Sequence, residues 1–102
     1  MKEINSMEEF DSFINNNEDV VVDFWAPWCG PCRSMLPLVE SVQADTNKVS
    51  FAKVNIDENQ DITERFKITS IPYFMKFKNG KQDNVYIGMT SKAKFQEFCG
   101  IE

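Results

Sequence analysis

Residues 20–25, V-V-V-D-F-W, form a short and nearly continuous apolar run. A strand with one wet face alternates apolar and polar residues, whereas a run without alternation marks a strand covered on both faces. Such a strand needs layers above and below it, which the rest of the chain must supply. Ser6-Met7-Glu8-Glu9 reads as a capping box, with Met7, Phe10, Phe13 and Ile14 on one helical face until Asn15-Asn16-Asn17 ends the helix. Met35, Leu38, Val39 and Val42 recur at i, i+3, i+4 and i+7, predicting an amphipathic helix to about residue 45. Pro37 should kink it, because the carbonyl of Arg33 loses its partner.

Val49 to Ile56 reads as a second strand, and Asp57 with Gln60 as the cap of a short helix carrying Ile62 and Phe66 inward. Pro72 opens a further strand, Tyr73 to Phe77. Asn79-Gly80 is the strongest hairpin signal in the chain, so that strand and Val85-Tyr86-Ile87 should be antiparallel. Ser91 caps a last helix with Phe95, Phe98 and Cys99 on one face, and Gly100 stops it. The order β-α-β-α-β-α-β-β-α predicts an α/β fold, a mixed sheet covered by helices on both faces.

One hydrophobic core suits 102 residues, and 42% apolar side chains with nine Phe can fill it, so residues 1–102 are expected to form a single domain. A net charge of −5 argues against a nucleic-acid partner, and no Lys/Arg block suggests a membrane surface. The segment M-K-E-I-N-S-M-E-E-F carries no apolar signal region, and no run approaches membrane-spanning length. The expected location is therefore a reducing cytoplasm, where a permanent disulfide would be unusual.

That expectation frames W-C-G-P-C, Trp28 to Cys32, which holds two of the three cysteines. A closed metal site normally wants four nitrogen or sulfur ligands, and this chain has no histidine and only one other, distant cysteine, Cys99. Carboxylates or a second chain would have to complete such a site. As a structural staple, closing so short a loop removes only about 2 kcal/mol of unfolded-state entropy. A reagent fits the local geometry better. Cys29 follows a strand and precedes a helix, where unpaired N–H groups and the macrodipole stabilise a thiolate without a histidine. Pro31 is tolerated in a first turn and Gly30 eases the backbone into it. Cys32, three residues on, lies on the same face and within disulfide reach. Cys29 would attack a substrate disulfide as nucleophile, and Cys32 would resolve the mixed disulfide.

W-C-G-P-C after V-D-F-W-A resembles the thioredoxin family, and the resemblance runs over nearly the whole chain. It includes Pro37, A-K-V-N-I-D at 52–57, S-I-P at 70–72, F-K-N-G at 77–80 and Gly88. It implies the thioredoxin fold, a mixed five-stranded sheet flanked by four helices. It also implies a protein-disulfide reductase that cycles Cys29 and Cys32 between dithiol and disulfide. No cofactor would be bound; electrons would come from NADPH through a flavin-dependent thioredoxin reductase. Disulfide-containing proteins such as peroxiredoxins would be the substrates, and the chain would act as a monomer. The G-P pair between the cysteines implies reducing rather than isomerising character.

The same resemblance gives roles to positions outside the motif. Asp23, an acid inside an apolar strand whose pKa should rise, matches the family's buried base behind the resolving thiol, and Lys53 matches its partner. Pro72 matches a cis proline facing the disulfide, which would offer the backbone of Ile71 to an extended peptide. The apolar contact surface would comprise Trp28, Ile56, Ser70, Ile71, Pro72, Ile87, Gly88 and Met89, with Trp25 packing beside the site. Tyr73 and Met89 are bulkier than the family's usual residues, which puts substrate range in question. Cys99 reads as a small core hydrophobe, with a regulatory or dimer-forming thiol as the alternative. Two rival functions remain: a dedicated donor to one enzyme such as a peroxiredoxin, and a binding module that uses the apolar rim without thiol turnover.

Overall fold

The computed structural model describes residues 1–101, and its elements follow the expected order. They are β1 (Lys2–Ile4), α1 (Met7–Asn15), β2 (Asp19–Trp25), α2 (Gly30–Ala44), β3 (Ser50–Asn55), α3 (Gln60–Arg65), β4 (Tyr73–Lys78), β5 (Lys81–Ile87) and α4 (Lys92–Cys99). The strands lie in the order β1-β3-β2-β4-β5. β1, β3 and β2 run parallel, β4 is antiparallel to β2, and β5 is antiparallel to β4.

The central position of β2 explains its unbroken apolar run, because Val20 to Phe24 are all buried. A strand points successive side chains to opposite faces. Val20, Val22 and Phe24 enter a core with Ile4 of β1, Phe10 and Ile14 of α1 and Ile62 of α3. Val21 enters a second core with Met35, Val39 and Val42 of α2 and Phe95, Phe98 and Cys99 of α4. By the same alternation Asp23 falls on the α2 face. Aromatic rings anchor both layers: Phe10 meets Phe66 at 5.2 Å and Phe77 edge-on at 5.7 Å, and Phe74 meets Phe95 edge-on at 4.9 Å. Such pairs each add about 0.5–1.5 kcal/mol beyond their burial.

The hairpin turn is the two-residue kind. Lys78 pairs with Lys81, and Asn79 and Gly80 adopt φ of 50° and 80°, the left-handed pair that matches strand twist. β5 is longer than Val85–Ile87, and Asp83 bulges out between the paired Gln82 and Asn84.

Two caps differ from expectation. Ser6 Oγ accepts from the Glu9 N–H at 3.0 Å, but the Glu9 carboxylate returns to the N–H of Asn5, one residue earlier than a standard box, at 3.1 Å. Asp57 does not cap α3. The capping position falls to Asn59, whose buried amide donates instead to the carbonyls of Ile4 at 3.3 Å and Asn55 at 3.0 Å. Asn59 thereby ties the loop after β3 to β1, and Asp57 is left for another partner.

Candidate active site

The junction of β2 and α2 builds the site. Cys29 is the N-cap of α2, and its sulfur accepts from the Cys32 N–H at 3.2 Å where a serine oxygen would usually sit. Its carbonyl accepts the first helical bond, from Arg33, at 3.2 Å. Pro31 occupies the first turn, where no N–H is missed. Cys29 and Cys32 are joined as a disulfide with α-carbons 5.3 Å apart, so the structure is the oxidised form. Both are buried against Ala26, with Trp25, Ile56 and Ile71 packed around them.

Opposite them, the Ile71-Pro72 peptide bond is cis, and the Ile71 carbonyl lies 3.9 Å from the Cys29 sulfur. The Pro72 carbonyl accepts from the Gly88 N–H at 2.9 Å, which docks the segment after β5 beside this loop. The residues expected at a contact surface thus come together from four segments. Trp28, Ile87 and Met89 are exposed, as is Ser70; Ile56, Ile71 and Gly88 are half-buried, and Pro72 is buried. Tyr73 turns into the core, edge-on to Phe24 at 6.0 Å, so its bulk does not crowd the rim.

Behind Cys32, Asp23 is only 4% exposed. Burial pushes its carboxyl from 3.8 up to about 7, against a smaller downward pull from Lys53. Lys53 is its register neighbour on β3, yet the two form no ion pair among the described residues. The ammonium lies 5.2 Å over the ring of Trp25 instead, so Lys53 acts on Asp23 through space rather than by contact. A cavity of about 40 Å³ separates Asp23 from Cys32, lined also by Trp25, Arg33, Leu36 and Lys53. Among the described residues, neither Asp23 Oδ1 nor Trp25 Nε1 has a hydrogen-bond partner. A water needs about 15 Å³ and two or more polar neighbours, so this space suits one that bridges acid and thiol.

Two contributors escaped the sequence reading. The Trp28 indole donates to Asp57 Oδ2 at 2.9 Å, fixing an exposed ring beside the cysteines. Arg33 donates from Nη1 to the Pro27 carbonyl at 2.8 Å, fastening the loop before Cys29 to α2. The first pairing has no local signature, since Trp28 and Asp57 are 29 residues apart. Asp57→Ala should free the indole and lower kcat/KM for protein disulfides by up to about fivefold, the worth of a hydrogen bond of about 1 kcal/mol. Steady-state kinetics with a protein and a small aromatic disulfide check this; an equal drop for both would show that Trp28 placement is not the cause.

A groove of about 760 Å³ lies at the other end of the sheet among Asp19, Asp45, Lys48, Lys76 and Ile101. It borders Cys99, but that thiol is buried and burial pushes it up to about 12, so it stays a neutral core group. The chemistry sits at the Cys29–Cys32 end.

A redox-active pair at a helix start, faced by a cis-proline loop on a mixed five-stranded sheet, defines a thiol–disulfide oxidoreductase. The thioredoxin family model matches residues 2–100. Thioredoxin 1 of Plasmodium falciparum is 42% identical over 93 residues, covering 91% of this chain and 89% of its own. A solved Plasmodium falciparum thioredoxin superposes with a TM-score of 0.92 at 38% identity, covering 98% of this chain and 97% of its own. A chain from a study of thiol resolution in yeast mitochondrial 1-Cys peroxiredoxin via glutathione/thioredoxin systems superposes with a TM-score of 0.91 at 28% identity, covering 98% and 93%. The chain belongs to the thioredoxin family. It is a protein-disulfide reductase that acts on disulfide-bearing proteins, and its electrons are carried by the Cys29–Cys32 pair rather than by a bound cofactor.

Proposed function

We propose that this chain, working as one domain and as a monomer in the cytoplasm, passes electrons from an NADPH-dependent flavoprotein thioredoxin reductase to several protein disulfides, peroxiredoxins among them. The observation that carries the reading is Cys29 at the start of α2 with its sulfur against the Ile71 carbonyl, beside an exposed apolar rim. The peroxiredoxin system of one structural neighbour supports that class of partner. Among the described residues no helix is long and apolar enough to cross a membrane.

In the reduced form the Cys29 thiolate attacks a substrate disulfide held along Ile71. A bond forms between Cys29 and one substrate sulfur, and the other leaves as a thiolate. Asp23, with a pKa near neutrality, takes the Cys32 proton across the cavity. The Cys32 thiolate attacks Cys29, the second substrate sulfur leaves, and two electrons have moved from the pair to the substrate. Trp28, Ile56, Ser70, Ile71, Pro72, Ile87, Gly88 and Met89 hold the substrate during these steps. Lys53 tunes Asp23, and Gly30 and Pro31 shape the turn between the thiols.

The test is NADPH oxidation by a purified thioredoxin reductase, dependent on this chain, with insulin and a peroxiredoxin as separate terminal acceptors. Turnover with both supports a general reductant. Turnover with the peroxiredoxin alone favours a dedicated donor. Full biological activity in the Cys29→Ser, Cys32→Ser double variant would leave only a binding module.

A further inference from the structure

The five methionines occupy contrasting surroundings. Met35 and Met75 are buried, at 2% and 1% exposure. Met1 and Met7 are half-buried, and the Met7 sulfur sits 3.1 Å from the Arg65 guanidinium. Met89 alone stands well out of the surface, at 57% exposure. Two contacts hold it there. Gly88 turns the chain with a φ of 96° while its N–H bonds Pro72. The Tyr86 hydroxyl, its ring packed edge-on to Phe98, donates to the Met89 carbonyl at 3.3 Å.

In the oxidised form, Cys29 and Cys32 are already bonded to each other and Cys99 is buried. The reduced sulfur carried on the most exposed side chain is then the Met89 thioether. We propose that Met89 is an oxidation site at which a hydroperoxide forms methionine sulfoxide, and that the polar sulfoxide weakens docking of protein disulfides on the rim. The sulfur lone pair takes the terminal peroxide oxygen as the O–O bond breaks. The other oxygen leaves as water or an alcohol, so sulfur loses two electrons and the peroxide gains them. The product is reversed by methionine sulfoxide reductases rather than by thiol exchange, so it outlasts re-reduction of the disulfide. An apolar, pliable contact becomes a polar one that a partner cannot cover without loss.

The inference rests on the reading of Met89 as part of the docking rim, and the experiment separates the two. The disulfide form is exposed to hydrogen peroxide, desalted and mapped by peptide mass over time. Oxygen should add first at Met89, later at Met1 and Met7, and last at Met35 and Met75. The protein is then reduced, freed of excess dithiol and mixed with substrate in a single turnover. Its rate constant with insulin should fall about three- to tenfold, while that with a small aromatic disulfide changes by less than about twofold. Met89→Leu, compared with its own untreated form, should show no such fall. Earlier modification of Met1 or Met7, an unchanged rate with Met89 fully oxidised, or the same fall in Met89→Leu would overturn the proposal. Untreated Met89→Asp supplies the separation. If it reacts with insulin at the wild-type rate, the rim reading fails and takes the inference with it. If it is slow while the sulfoxide is not, the inference alone fails.

Discussion

Cys29→Ser should abolish protein-disulfide reduction, a loss of at least about 10³-fold in kcat/KM, because no other thiol sits at the start of α2 against the Ile71 carbonyl to begin exchange. Cys32 lies inside the first turn, turned toward Asp23, and Cys99 is held neutral in the core. Cys32→Ser should fail differently. Its first step is intact, so Cys29 should accumulate stable mixed disulfides with its substrates, visible as adducts on non-reducing gels and absent from Cys29→Ser. The asymmetry has a physical source: Cys29 caps α2 and accepts the Cys32 N–H, whereas Cys32 borders a buried carboxyl. Alkylation of the reduced protein near neutral pH should therefore reach Cys29 first. Faster labelling of Cys32 would reverse the assigned roles.

Asp23→Asn should raise stability and slow the second step together. Holding the carboxyl at about 7 rather than 3.8 penalises its charged form by roughly 4 kcal/mol. Because the folded pKa lies above the unfolded one, the folded state keeps a proton that the unfolded chain releases. The associated stability is whole below about pH 4, declines as pH rises, and is gone above about pH 7. The amide avoids that decline. Asp23→Asn should thus gain up to roughly 4 kcal/mol over the wild type at pH 8 and little at pH 3.5. Denaturant titrations at the two pH values measure the difference, and an equal gain at both would point to packing instead. In parallel, the limb near pH 7 should vanish from the rate of mixed-disulfide resolution, and an unchanged profile would remove Asp23 as the base.

Most of this arrangement is legible along the chain because the informative signals are local. V-V-V-D-F-W announces a covered strand, Asn79-Gly80 a tight hairpin, and Cys29-Gly30-Pro31 a helix start bearing a thiol. What escapes is set by tertiary approach. The expected order counts a strand before α1, but at three residues β1 is too short for a period, and only its pairing with β3 gives it bounds. Asp57 carries the composition of a helix cap, but the indole of Trp28 competes for it and wins. Lys53 beside Asp23 looks like half of an ion pair until the ring of Trp25 is seen beneath its ammonium. Tyr73 shows the same limit: its bulk is plain in the sequence, but only packing against Phe24 shows that the bulk points inward.

The bulge at Asp83 bears on how the molecule survives its own stickiness. An exposed sheet edge is a template on which another copy can add a strand, the first step toward aggregation. Here one edge is β1, short and with Lys2 and Glu3 outward, and the other is β5, whose Lys81, Gln82, Asp83 and Asn84 are all exposed and interrupted by the bulge. Neither offers a long, flat, apolar ladder. The apolar side chains around Cys29 can therefore meet partner after partner through brief surface contact, while the backbone gives those partners, and other copies of the chain, no seam to zip along.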